Sequence, residues 1–324
     1  MTPPIFTATD LQPDALDVAL REHGGFFVTL PNAGELPERI LEASRSFFLL
    51  SPEEKEALAI EGSSHFRGWS QMRNERDWRE QLHLGRERCS AGDDPAFHRL
   101  EGPNLWPADA SWREVISRYI EVAAHLGELI LHRIASCLGV DPTGFGHIAN
   151  EGYIVAKLIG YHPQPSAATI RSGVAAHVDF SWLTINLQDS EGLEVRRPDG
   201  AWTSVAVRKG SVWVHAGELL EHATRGRYAA TPHQVHNPSS TRTRVSIPVF
   251  VNPPLDGWVR VLEALSPEVL AKDMSHGSEG DHVHRVLDPH PRREAFHFGH
   301  AEWRRKGLGG WCFACCPGTL EATA

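Results

Sequence analysis

The chain has 324 residues and a formal charge of −9, so it can bury a full core but lacks the basic face that a nucleic acid or an anionic membrane surface would need. Hydrophobic residues make up 41% and charged ones 23%, the balance of a water-soluble globular protein. No apolar run approaches the ~20 residues of a membrane span. The N-terminal stretch MTPPIFTATDLQPD lacks a basic-then-apolar leader, so a cytoplasmic chain with reduced cysteines is expected.

In chain order, DALDVALREHGG predicts an amphipathic helix ending at Gly24-Gly25, and Phe26 to Leu30 a strand. GELPERILEASRSFFLLSPEEKEAL predicts a second helix, broken at Ser51-Pro52 and restarted. A long helix follows from about Ser111 to Leu138, with Val115, Tyr119, Val122, Leu126, Ile130 and Ile134 on one apolar stripe. After Glu151 the pattern changes to short strands rich in β-branched and aromatic residues. YIVAKLIGY, WLTINLQ, GLEVRR, AWTSVAV, SVWVHAG, ATPHQVHN and RVSIPVFVN are separated by turn signals such as Arg197-Pro198-Asp199-Gly200. Strands at this spacing predict a sandwich, barrel or double-sheet jelly roll. Beyond Pro253-Pro254 a more polar, partly helical tail begins. It holds a Gly/Ser/His-rich stretch with His282 and His284, read as a solvated loop, and Cys312, Cys315 and Cys316, read as ordinary tail residues.

The chemistry concentrates in the strand-rich half. His177 and Asp179, one residue apart in AHVDFSW, would project from the same side of an extended strand. His233 sits on a later predicted strand, and Arg244 and Ser246 share one side of the next. Two imidazoles and one carboxylate form a facial triad suited to non-haem Fe(II) and oxygen chemistry, although zinc hydrolases use the same set. The arginine favours iron. A permanently charged guanidinium beside a hydroxyl is a fork for a carboxylate, and 2-oxoglutarate offers a distal carboxylate as well as a metal-chelating end.

The motifs together resemble the iron- and 2-oxoglutarate-dependent oxygenases of the isopenicillin N synthase-like group, which includes deacetoxycephalosporin C synthase and plant relatives. HVDFSWLTINLQDSEGLEV, DGAW, HQV and RVS follow in the family's order, and GGFFVTLPNAG, SFFLLSPEEK, DWREQ and GPNLWP extend the likeness towards the N-terminus. The resemblance implies a mainly β fold with flanking helices, built on a double-stranded β-helix (jelly-roll) core. It implies a single oxygenase domain over 1–324: a support region to about 150, a catalytic core at about 151–255 and a covering tail at about 256–324. It also implies that His177, Asp179 and His233 ligate Fe(II), and that Arg244, Ser246 and Tyr161 hold 2-oxoglutarate.

O2 would be the third reactant, and a small molecule of specialised metabolism the substrate, hydroxylated or else desaturated or cyclised. Substrate-contact candidates are Phe180, Trp182, Arg67, Phe250 and Asn252. The chain departs from the family at His215, in HAGE where Asn-x-Gly-Asp is common, and at Gln234, where arginine is common. His236 should point away from His233. Two other readings stay open: an oxidase of the isopenicillin N synthase type that uses no 2-oxoglutarate, and a non-catalytic metal-binding jelly-roll module.

Overall fold

A computed structural model of the chain describes residues 2–30, 35–74, 76–89, 92, 95–163, 173–237, 239, 241–262, 283–287 and 295–307. The N-terminal third supplies both strands and helices. β1 (Ile5–Thr7) leads to α1 (Pro13–His23), which starts on a proline and stops at Gly24, whose φ of +70° closes the last turn. β2 (Gly25–Thr29) and α2 (Leu36–Phe48) follow. The restart at Ser51-Pro52 is α3 (Pro52–Glu56), opened by a capping box in which Ser51 and Glu54 satisfy each other's backbone N–H groups. An antiparallel pair, β3 (Gly68–Arg73) and β4 (Trp78–Gly85), precedes the long helix α4 (Ala110–Leu138) and the short α5 (Ile148–Glu151).

Seven of the remaining strands fall where the alternation predicts. In chain order come β5 (Val155–Tyr161), β6 (Val174–His177), β7 (Leu183–Gln188), β8 (Leu193–Arg196), β9 (Trp202–Ser204) and β10 (Ser211–Ala216). After α6 (Glu218–Ala223) come β11 (His233–Val235) and β12 (Arg244–Val251). β13 (Trp258–Arg260), β14 (Ala295–His297) and α7 (Phe298–Arg305) complete the described chain. Cys312, Cys315, Cys316 and His282 lie outside the described residues.

One sheet has the order β1-β2-β10-β7-β12-β5-β4-β3, and a second has the order β6-β11-β8-β9. The N-terminal strands therefore extend both edges of the sheet that holds β5, β7, β10 and β12.

Period two sorts the side chains of the large sheet. On β12, Val245, Ile247, Val249 and Val251 are fully buried on one face, towards a core that α4 also fills. Tyr119 of that helix donates its hydroxyl to the Ile247 carbonyl at 3.3 Å. Arg244, Ser246, Pro248 and Phe250 take the other face and line a cavity between the sheets. A second apolar cluster closes the space between the sheets, drawing Phe27, Ile159 and Trp213 from the large one and Val174, Leu193, Val195 and Val235 from the small one. This is the jelly-roll layout, mainly β, with α1, α2 and α4 packed against the large sheet. Among the described residues no helix is long and apolar enough to cross a membrane.

Candidate metal centre and anion anchor

The cavity has a volume of about 450 Å³. On one wall His233 of β11 stands directly across from His177 of β6, with ring centroids 4.1 Å apart. His177 is the last residue of its strand and Asp179 lies beyond it. The pair is therefore not presented by a regular strand, as the spacing suggests, but by a turn. Backbone bonds from Gly217 N to Trp182 O and from Glu218 N to Asp179 O pin that turn. Only glycine fits at 217, because a Cβ there would sit 2.3 Å from the Ser181 carbonyl oxygen.

The hydrogen bonds fix the chemistry of the triad. Each imidazole has its Nδ1 on a backbone carbonyl, His177 on Ala175 at 2.9 Å and His233 on Thr231 at 3.1 Å. A carbonyl can only accept, so Nδ1 carries the proton and the Nε2 lone pair is free. Each Nε2 lies 3.6 Å from an Asp179 carboxylate oxygen, too far for a hydrogen bond. Ligand atoms of all three residues lie within 4.8 Å of one another. Lone pairs converging without a proton between them repel unless a cation sits among them, so the donor set fits a divalent metal.

Burial would raise the pKa of Asp179, but His233, His177 and a bond from His215 outweigh it and hold the carboxyl well below the usual range. Burial, reinforced by His177, pushes the His233 imidazole down to about 3, which keeps it neutral. Asp179 is oriented by two donors on Oδ2, the Thr184 hydroxyl at 2.6 Å and His215 Nε2 at 3.0 Å. Oδ1 is left facing His177. His215, noted in the sequence only as a departure, thus acts as a support for the carboxylate.

The anion anchor lies across the cavity. Arg244 of β12 pairs in register with Tyr161 of β5, and its guanidinium lies over the Tyr161 ring, 5.0 Å from the centroid. Arg244 is 1% exposed. Its Nε donates to the carbonyls of Ser190 and Glu191 at 3.2 and 3.0 Å, and Nη2 donates to Gln188 Oε1 at 2.6 Å. Among the described residues Nη1 is buried without a partner. A buried, charged N–H left open on a cavity wall fits a carboxylate. Ser246 lines the same wall two residues on. Gly192, at φ +128°, lets the preceding turn close on this arginine: a Cβ there would lie 3.1 Å from the Arg244 side chain and 2.1 Å from His236 O. His236 itself points outward, near Glu194.

The proposed substrate contacts divide. Phe180, Phe250 and Asn252 line the cavity. Trp182 does not; it is fully buried and meets Phe145 edge-on at 5.3 Å. Arg67 does not either. It is 1% exposed, donates Nη2 to the Leu100 carbonyl at 3.0 Å and stacks on Tyr153, so it is a core strut rather than a substrate-facing group. The solvated-loop reading of His284 also changes, because its backbone pairs with Ala176 and Val178 beside the metal strand and it lines the cavity. Unanticipated in the lining are Arg76, Asp77, Arg79, Lys157, Glu302, Arg305 and Lys306. Lys157 shares a face with Tyr161 by simple alternation on β5, a signal the sequence did contain.

Residues 149–253 match the 2OG-Fe(II) oxygenase superfamily, and residues 10–109 match the N-terminal region described as non-haem dioxygenase in morphine synthesis. The chain is 32% identical over 250 residues to the 2-oxoglutarate-Fe(II) type oxidoreductase hxnY of Emericella nidulans, covering 71% of this chain and 70% of that one. It is 30% identical over 264 residues to a homoarginine-6-hydroxylase of Arabidopsis thaliana, covering 76% and 78%. Its fold is shared with the rice dioxygenase for auxin oxidation (TM-score 0.67, 23% identity, covering 95% and 96%). It is shared also with a Neurospora crassa protein solved with α-KG and thymine (TM-score 0.70, 20% identity, covering 94% and 96%).

Proposed function

The chain belongs to the 2OG-Fe(II) oxygenase superfamily, and on that premise we propose that it hydroxylates a small molecule in this cavity. The observation that carries the reading is the placement of a three-donor metal cluster and an unpaired buried guanidinium N–H on facing walls of one cavity.

In this reading His177, Asp179 and His233 hold Fe(II), with Thr184 and His215 fixing the carboxylate. Arg244 receives the distal carboxylate of 2-oxoglutarate on Nη1, with Ser246 beside it and the Tyr161 ring beneath the guanidinium. When bound, the iron supplies the oxidising chemistry, in which O2 and 2-oxoglutarate become succinate, CO2 and one oxygen atom inserted into a substrate C–H bond. The protein's part is orientation and exclusion of water. Phe180 and Phe250 offer apolar walls for the substrate, and Nδ1–H bonds to backbone carbonyls keep both imidazoles in the ligating tautomer.

Lining residues that run from Arg76 to Lys306 support reading the whole chain as one oxygenase unit. A cytoplasmic setting, in which the cysteines would stay reduced, belongs to the same proposal. An oxidase that spares 2-oxoglutarate is disfavoured by relatives named for its use. The test is aerobic turnover with Fe(II), 2-oxoglutarate and a metabolite mixture. Succinate release that substrate stimulates is expected, whereas oxygen use without succinate would overturn the reading.

A further inference from the structure

Resting on the oxygenase reading, we propose that the substrate is an organic anion, a small carboxylate whose acid group docks on Lys157 while its apolar body lies against Phe250 and Phe180. Setting aside the groups assigned to iron and 2-oxoglutarate, the described lining holds five cations, Arg76, Arg79, Lys157, Arg305 and Lys306, against two carboxylates, Asp77 and Glu302. The chain as a whole carries −9, so this local excess runs against its average.

Both carboxylates are already committed. Asp77 pairs with Arg79 at 3.1 Å, and Glu302 takes Arg305 at 2.6 Å and Lys306 at 3.2 Å. Lys157 has neither an ion pair nor a hydrogen bond among the described residues. Its ammonium lies over the Phe250 ring, 5.1 Å from the centroid. Directly across on β4 is His83, both ring nitrogens of which are buried without a partner among the described residues. Burial and the neighbouring cations hold that imidazole neutral, so it offers Lys157 no counter-charge.

The position suits a substrate rather than the cosubstrate. Lys157 is two cavity-facing steps along β5 from Tyr161, roughly 13 Å at about 3.3 Å per residue. It therefore stands well away from the Arg244 anchor, on the wall that Phe250 shares. Burial, then Arg79, Lys306 and Arg305, push the Lys157 ammonium down to about 7, a strain that a bound anion would relieve. Phe180 faces the same space with Arg305 above its ring at 5.7 Å. A cavity of about 450 Å³ that also takes 2-oxoglutarate leaves room only for a small substrate.

The experiment uses full-length protein, kept anaerobic with Fe(II) and saturating 2-oxoglutarate, and calorimetry as the readout. The probes are 3-phenylpropanoate, 4-phenylbutanoate and cyclohexylacetate, each compared with its own primary amide. At least one acid is expected to bind about tenfold more tightly than its amide, as a charge-assisted contact should. Lys157→Gln should erase that preference, Lys157→Arg should keep it, and neither should change 2-oxoglutarate affinity. Equal binding of every acid and amide, or a preference that survives Lys157→Gln, would overturn the proposal. Failure of the oxygenase reading is separately visible, as absent 2-oxoglutarate binding to the Fe(II) protein. Calorimetry reports the acid–amide difference in either case.

Discussion

The two ends of the cavity treat charge differently. Around Asp179 and Arg244 nearly every polar atom is engaged: two donors fix the carboxylate, three acceptors fix the guanidinium, and both imidazoles are tied to carbonyls. Among the described residues, what remains open there is Arg244 Nη1, His215 Nδ1, Asn186 Oδ1 and a set of converging lone pairs. Near α7 the ion pairs satisfy only part of the positive charge, and among the described residues Lys157 has just an aromatic face. The first end is pre-organised for ligands of fixed shape, and the second is a charged wall that asks mainly for an anion. A family can keep the first constant while the second changes with substrate.

Three substitutions probe that contrast. The largest effect should come from the layer behind the cavity. Trp182→Ala is expected to destabilise the fold by about 3–5 kcal/mol in urea unfolding, as removal of a fully buried indole does, while the folded variant still binds 2-oxoglutarate. A stable variant with altered substrate preference would instead make Trp182 part of the wall. At the engaged end, Arg244→Ala should weaken 2-oxoglutarate binding by about 2–5 kcal/mol, measured by calorimetry, since it removes a buried charge partner. Fe(II) affinity should hold. A smaller loss would mean that the anchor lies elsewhere.

The smallest effect concerns the segment that pairs beside the metal strand. Glu218 is 1% exposed and accepts the backbone N–H groups of Val286 and Leu287. Burial raises its pKa from the ordinary 4.5 to about 7 despite those bonds. A folded-state pKa raised above the unfolded one gives stability that is full below the unfolded value and is lost as pH rises through the folded value. Unfolding free energy should therefore lose about 1–3 kcal/mol between pH 4.5 and 7 from this group. Glu218→Gln should flatten that slope, and an unchanged slope would assign it to other groups.

Much of the engaged end was legible in the sequence because its parts are local. His177 and Asp179 sit one residue apart, and Arg244 and Ser246 follow strand period. The jelly roll was legible for the same reason, since alternation marks each strand and short turns mark their ends. The other end joins segments near 77, 157 and 302 that no local pattern links. Lys157 could have been read from its shared parity with Tyr161, but a lysine in a strand ordinarily faces water. Phe180 and Trp182 looked equivalent, yet the strand stops at His177 and the turn sends one to the cavity and the other to the core. Arg67 looked like a loop cation. Its burial depends on carbonyls of residues 65 and 100, which no spacing announces.

The most direct test of the metal centre is anaerobic addition of Fe(II) and 2-oxoglutarate to wild-type protein and to His177→Ala, followed by visible absorption. A weak metal-to-ligand charge-transfer band in the wild type that disappears in the variant is the expected result. A band unchanged by His177→Ala would contradict the assignment of His177, Asp179 and His233 as the iron ligands.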